Sequence, residues 1–184
     1  MSTRLGLEAG VARPPRPAAE VAYAVARTVT DPEMPMLTLA DLGVLRGVEI
    51  VVEGGTERVV VAITPTYSGC PAMATMRDDL VHRLTDAGFD AVSVRVELHP
   101  AWSTDWISDE GRRKLAEHGI SPPGAAPHGV GPIALTLTPT RRDIACPRCG
   151  SKQVDLMSEF GPTACKALYR CADCLEPFEH VKEI

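Results

Sequence analysis

The sequence predicts an α+β fold, a small sheet with helices packed on it, followed at the C-terminus by a separate cysteine-knuckle unit. Three observations carry that prediction. Apolar and polar residues alternate in three short runs, RGVEIVVE, ERVVVAIT and VSVRVEL, the period of half-buried strands. Between the second and third runs, residues 71–86 place Met73, Met76, Leu80 and Leu84 on one helical face. Finally, five of the six cysteines fall in the last 39 residues, and four of them form two C-x2-C pairs with 21 residues between. The order helix, strand, strand, helix, strand, helix then gives a layer of helices on a small sheet.

Taken in order, residues 1–17 are Pro- and Arg-containing and are expected to be disordered or loosely attached. A helix is expected from Ala18 to Val29, with Val21, Val25 and Val29 on one face, stopping at Asp31-Pro32. The loop EMPMLTLADLG leads into a strand with Val48, Ile50 and Val52 inward. Gly54-Gly55 marks a tight hairpin turn, because both positions tolerate positive φ, and residues 57–64 form the antiparallel partner. After the loop around Cys70 comes the amphipathic helix, closed by Gly88. In VSVRVEL, Val92, Val94, Val96 and Leu98 are expected inward. A short helix over 108–118 has Ser108 as its N-cap. The Gly/Pro-rich run 119–132 reads as a linker, and IALTLT beyond it as a strand of either unit. The resulting organisation is an α+β domain over 18–120, a linker or extra strand over 121–138, and the cysteine unit over 139–184.

Composition narrows the function classes. The start MSTRLGLEAGVARPPRP has no apolar stretch of signal-peptide length, and no segment approaches 18 apolar residues, so a cytoplasmic address without membrane contact is expected. There, reducing conditions favour reading paired cysteines as metal ligands before disulfides. The net charge is −5, and residues 139–184 hold seven Lys/Arg against seven Asp/Glu, so no nucleic-acid partner is expected. No phosphate-loop motif and no local signature of a Ser/His/acid triad occurs.

Cys146, Cys149, Cys171 and Cys174 have the spacing of a closed tetrahedral zinc site, a zinc ribbon in which the metal supplies the fold that about 40 residues cannot build alone. An iron–sulfur cluster on the same thiolates is a rival. A thioredoxin-like pair is disfavoured, since neither C-x2-C opens a helix after a buried strand. Cys165 is a fifth thiol, read as a spare buried cysteine, a surrogate ligand or a second reactive group. His180 reads as an ordinary surface histidine before a ligand. Cys70 stands alone in TPTYSGCPAM, before Pro71 at a helix start, where the macrodipole is expected to lower its pKa. The alternative is a buried small hydrophobe. Asp31, Glu33 and Asp41 are either a metal or partner site, or caps and turns. Trp102 and Trp106 are either a docking surface or plugs at the core edge.

TVTDPEMPMLTLADLGVLRGVEI followed by AITPTYSGCPAM resembles the iron–sulfur cluster assembly-like family, also catalogued as domain of unknown function 59. Its hallmarks stand here as Asp31-Pro32-Glu33, Asp41-Leu42-Gly43 and Cys70-Pro71. The stretches PAWSTDWISDEGRRKLAEHGISPP, CPRCGS and SEFGPTACKALYRCADCLEPFEHVK resemble the phenylacetate-degradation branch of that family, with Pro162 where the branch often carries Ser. The resemblance implies a non-enzymatic accessory factor that delivers iron or an iron–sulfur cluster to, or matures, the multicomponent phenylacetyl-CoA epoxidase or another iron–sulfur or di-iron client. Cys70 would transfer the iron or cluster, with Asp31, Glu33, Asp41 and Thr66 as its supporting loop. Two or more chains, each giving one cysteine, would then share a cluster as a homo-oligomer. The competing classes are a structural subunit of the oxygenase and a thiol redox enzyme using Cys70 and Cys165.

Overall fold

The computed structural model describes residues 18–67, 69–126 and 143–184. The 1–17 segment, Ser68 and the IALTLT run lie outside the described residues. Helix α1 (Ala18–Ala26) ends three residues earlier than its spacing suggested. Thr28 and Val29 donate to carbonyls only three residues back, on Val25 and Ala26, which tightens the chain out of helical phase. The buried face is therefore Ala22 and Ala26, continued by Val29, while Val21 turns outward.

Strands β1 (Leu45–Glu53) and β2 (Thr56–Ile63) form the expected antiparallel hairpin. Gly54 and Gly55 sit at φ +59° and +83°, conformations that residues with a side chain resist. Val59, Val61 and Ile63 face the core, whereas Val52, near the hairpin tip, is 64% exposed among the described residues. Strand β3 (Val92–Val96) runs parallel to β2, pairing Val59 with Val92 and Val61 with Val94. A parallel join needs a crossover, and α2 (Met73–Asp86) supplies it, burying Met76, Leu80 and Leu84. Core packing reaches Val92 and Val94 partially and stops there, leaving Val96 and Leu98 exposed rather than inward at the sheet edge.

Helix α3 (Asp109–Glu117) is capped as expected, with Ser108 Oγ accepting from Gly111 N at 3.0 Å. It packs on β4 (Ile120–Ser121) instead of on the first sheet. That short strand corrects the linker reading, since the run from 119 opens inside a second sheet. This sheet has the order β4-β7-β6-β5, with β5 at Val154–Ser158, β6 at Lys166–Cys171 and β7 at Pro177–Val181. Here β4 runs parallel to β7, Ile120 against Glu179 and Ser121 against His180. Ile120 and Val181 thereby join the principal core, while Ile144, Cys146, Ala167, Tyr169, Cys171 and Phe178 form a smaller one. The tryptophans plug the core edge. Trp102 is buried and donates its indole N–H to Leu42 O at 2.9 Å, and Trp106 lies under the Arg46 guanidinium, 3.6 Å from the ring centre.

Candidate functional site

Two thiol sites stand in the molecule. The first is built by two tight turns. Gly150 N closes one by donating to Cys146 O at 2.9 Å, and Cys171 N donates to Glu176 O at 3.0 Å in the other. These turns bring the sulfurs of Cys146 and Cys174 to 3.7 Å and those of Cys149 and Cys171 to 3.5 Å, with all four inside 4.8 Å. Zinc–sulfur bonds of about 2.3 Å require tetrahedron edges of about 3.8 Å, close to the two shorter sulfur separations, so the four thiols suit a zinc ion. The Cys174 backbone N–H leads in drawing Cys171 down to about 7. Cys149, although the Ser151 N–H favours its anion, is pushed up to about 12 by its sulfur neighbours. Among the described residues this is the one set of three or more Cys, His, Asp or Glu ligand atoms so close together.

His180 is not a surface residue. It is buried, with ring nitrogens 3.2 Å from Ser121 Oγ on one side and 3.2 Å from Glu183 Oε1 on the other. It fastens β7 to β4 and takes no part in the cysteine cluster. Its partner Ser121 lies 59 positions away in sequence, so no local pattern signalled the burial.

The second site is the loop after β2. Cys70 N donates to Tyr67 O at 3.2 Å and Met73 N to Cys70 O at 3.4 Å, so Cys70 opens a turn that precedes α2. The N-cap is Ala72, with no side-chain cap. Cys70 is half-buried and packs against the principal core. Its thiol is pushed above its ordinary value, contrary to the expected lowering. Burial is the main cause; the Ala72 N–H opposes it, while the charges of Glu33, Asp31 and Cys165 reinforce it. The macrodipole fades within the first turn, and Cys70 lies outside that turn.

The acidic residues divide. Asp31 is buried, and its Oδ1 accepts from Glu33 N and Met34 N, both at 2.8 Å, which shapes the Asp31-Pro32-Glu33 turn beside Cys70. Burial raises its pKa despite those two bonds. Asp41 faces the other way. Its Oδ2 accepts from Thr38 N at 2.9 Å and from Lys114 Nζ on α3 at 2.7 Å, and the lysine holds its carboxyl below the usual range against the cost of burial. Gly43 completes this anchor with φ +68°, where a Cβ would stand 2.6 Å from Trp106. Asp41-Leu42-Gly43 is thus a brace for residues 102–114, not part of the thiol loop. Thr66 lies half-buried in the Cys70 loop itself.

Cys165 stays out of the four-sulfur cluster. It is buried just before β6, with its Sγ 3.1 Å from Thr163 Oγ1, and burial pushes its thiol up as well. The neighbouring Lys166 is also buried and pairs with Glu179 at 2.7 Å. A charge on Cys165 is among the lesser causes that push the Cys70 thiol up, although 94 residues separate the two in sequence.

Comparison with known proteins agrees with this division. Residues 20–98 match the family described as iron-sulfur cluster assembly protein, and residues 132–182 match the PaaD zinc beta ribbon domain. Fold and sites together define an iron–sulfur assembly-type domain carrying a zinc ribbon. The chain is 45% identical over 161 residues to an Escherichia coli (strain K12) protein whose name makes it a putative component of the 1,2-phenylacetyl-CoA epoxidase, covering 87% of this chain and 90% of that one. It belongs to the family of that protein. Among solved structures, a domain of unknown function 59 from Bacillus anthracis is similar at TM-score 0.46 and 23% identity, covering 53% of this chain and 90% of that chain. A Mycobacterium tuberculosis protein described as associated with [Fe-S] complex assembly and repair is similar at TM-score 0.36 and 24% identity, covering 59% and 94%. No helix among the described residues is long and apolar enough to cross a membrane.

Proposed function

We propose that the chain is a non-enzymatic accessory factor that hands iron or an iron–sulfur cluster to the multicomponent phenylacetyl-CoA epoxidase, with Cys70 as the transfer thiol and zinc held permanently by the ribbon. The observation that supports this reading most is the contrast between the four-sulfur cluster and Cys70. A closed four-thiolate site has no open position for chemistry. Cys70 is a single half-buried thiol on a loop, where one protein ligand binds a metal weakly enough to release it. Its thiol must lose a proton to bind, and the Ala72 N–H is placed to stabilise the resulting anion. Asp31 and Glu33 add negative charge around the thiol, which favours a cation.

Cells carrying only the Cys70→Ala protein are expected to lose epoxidase activity and client iron while keeping soluble protein at wild-type level. Normal activity in those cells refutes the transfer role. A second reading, in which the chain is a structural component of the epoxidase, draws on the name of the Escherichia coli relative. Stoichiometric co-purification with active epoxidase supports that reading, whereas full activity of matured client after removal of the chain supports the accessory role.

A further inference from the structure

The four ribbon cysteines are not equivalent toward solvent. Cys149 and Cys174 are exposed, whereas Cys146 and Cys171 are buried. Two short sulfur contacts cross between the knuckles, Cys149 to Cys171 at 3.5 Å and Cys146 to Cys174 at 3.7 Å. Each crossing pair therefore joins an exposed cysteine to a buried one. Bonds that need no metal also hold the two knuckles together. Ala172 N donates to Gln153 O at 2.8 Å, Ser151 Oγ donates to Asp173 Oδ2 at 2.5 Å, and Val154 pairs with Cys171 across β5 and β6. A metal-bound sulfur has thiolate character, and exposed thiolates are the ones an oxidant reaches first. Cys165 stands apart from this set, buried and with its Sγ 3.1 Å from Thr163 Oγ1.

We propose that the four-thiol cluster is a peroxide-sensitive modification site, in which Cys149 and Cys174 take the oxidant and Cys171 and Cys146 resolve them as two disulfides that cross between the knuckles. This rests on the reading of the four thiols as a zinc site. The Cys149 thiolate attacks one oxygen of hydrogen peroxide; an S–O bond forms, the O–O bond breaks and hydroxide leaves, giving a sulfenic acid. The Cys171 thiolate then attacks that sulfur; an S–S bond forms, the S–O bond breaks and a second hydroxide leaves. Cys174 and Cys146 repeat both steps with a second peroxide. Each pair gives up two electrons and each peroxide accepts two, while the displaced ion leaves as Zn2+ with its oxidation state unchanged. Reaching the roughly 2.05 Å of a disulfide brings the sulfurs of each pair only about 1.5 Å closer. The backbone bonds between the knuckles keep the partners within that reach while the metal departs.

Hydrogen peroxide is the probe, added to the full zinc-loaded chain in the presence of a chromogenic zinc chelator. One zinc per chain is expected to be released for two peroxides consumed, and dithiothreitol with added zinc is expected to restore the site. Peptide mapping after cleavage before Asp173, which separates Cys171 from Cys174, is expected to yield the Cys149–Cys171 and Cys146–Cys174 links. Dimedone present during oxidation is expected to trap sulfenic acid on Cys149 and Cys174 and to leave Cys146 and Cys171 unlabelled. Links within one knuckle, or links to Cys70 or Cys165, overturn the proposal and leave the zinc reading intact. Zinc retained while Cys70 or Cys165 takes up the dimedone does the same. A chain that binds no zinc before peroxide is added, with all four thiols freely alkylated, overturns the zinc reading and the proposal together.

Discussion

The ribbon and the Cys70 loop both present thiols, yet they solve opposite problems. The ribbon holds four sulfurs already spaced for a tetrahedron, two of them buried and two exposed. The loop holds one sulfur, half-buried in a turn ahead of a helix and faced by carboxylates. Retention needs preset geometry, since every ligand in place before binding costs nothing to organise. Release needs the reverse. One chain thus carries both a preset set of four thiols and a thiol that stands outside it.

The largest expected effect breaks the first half of that contrast. Cys171→Ser should remove zinc, measured by elemental analysis, and unfold the ribbon, because zinc supplies about 10–16 kcal/mol of apparent folding energy in such units. The damage should also reach the first sheet as a lower melting temperature, since Ile120 and Val181 lie in its core. Cys165→Ser should retain the zinc, and loss of metal there would refute the choice of four ligands.

Smaller effects separate the brace at Asp41 from the loop that holds Cys70. Asp41→Asn should destabilise by about 1.5–3 kcal/mol, the range for a hydrogen bond to a charged partner, by losing Lys114. Asp41 has a pKa below the ordinary 3.8, so its contribution is complete above that value and disappears as pH falls through the folded pKa. Urea melts of parent and variant should therefore converge in acid. Cys70→Ala should cost only about 1–2 kcal/mol in the same assay, a small core truncation, so its functional loss would come from missing thiolate chemistry. Asp31→Asn should change stability least, by under about 1 kcal/mol, because Asn keeps an acceptor for Glu33 N and Met34 N. Here the sign is reversed. Asp31 has a raised pKa, so its buried charge weakens the fold as pH rises past 3.8 and through the folded pKa. The variant should match the parent in acid and equal or exceed it at neutral pH, and a strongly destabilised variant would contradict burial as the main cause.

Much of this was legible in local sequence. The hairpin glycines, the α2 stripe of Met76, Leu80 and Leu84, the Ser108 cap and the four ribbon cysteines are signals carried within a few residues of each other. What escaped reading depends on contacts between distant segments. Nothing near His180 announced that Ser121 would help enclose it. The expected lowering of the Cys70 pKa failed for a related reason, because burial by the assembled core outweighs a helix start two residues too far away. The valine face of α1 failed at Val21, which turns outward, and the helix tightened and ended at Ala26, so Val29 is buried beyond its end.

The pairing of β4 with β7 also sets a schedule for the growing chain. Ile120 emerges from the ribosome well before Glu179, its partner in the sheet, with about 60 residues still to be added. At about 5–20 residues per second, the seam stays open for roughly 3–12 s of synthesis. During that interval the first domain can complete its hairpin and its β2-α2-β3 crossover, but the core surface destined for Val181 remains uncovered. The principal core is thus assembled in two stages, the first from strands adjacent in sequence and the second from a strand that comes much later.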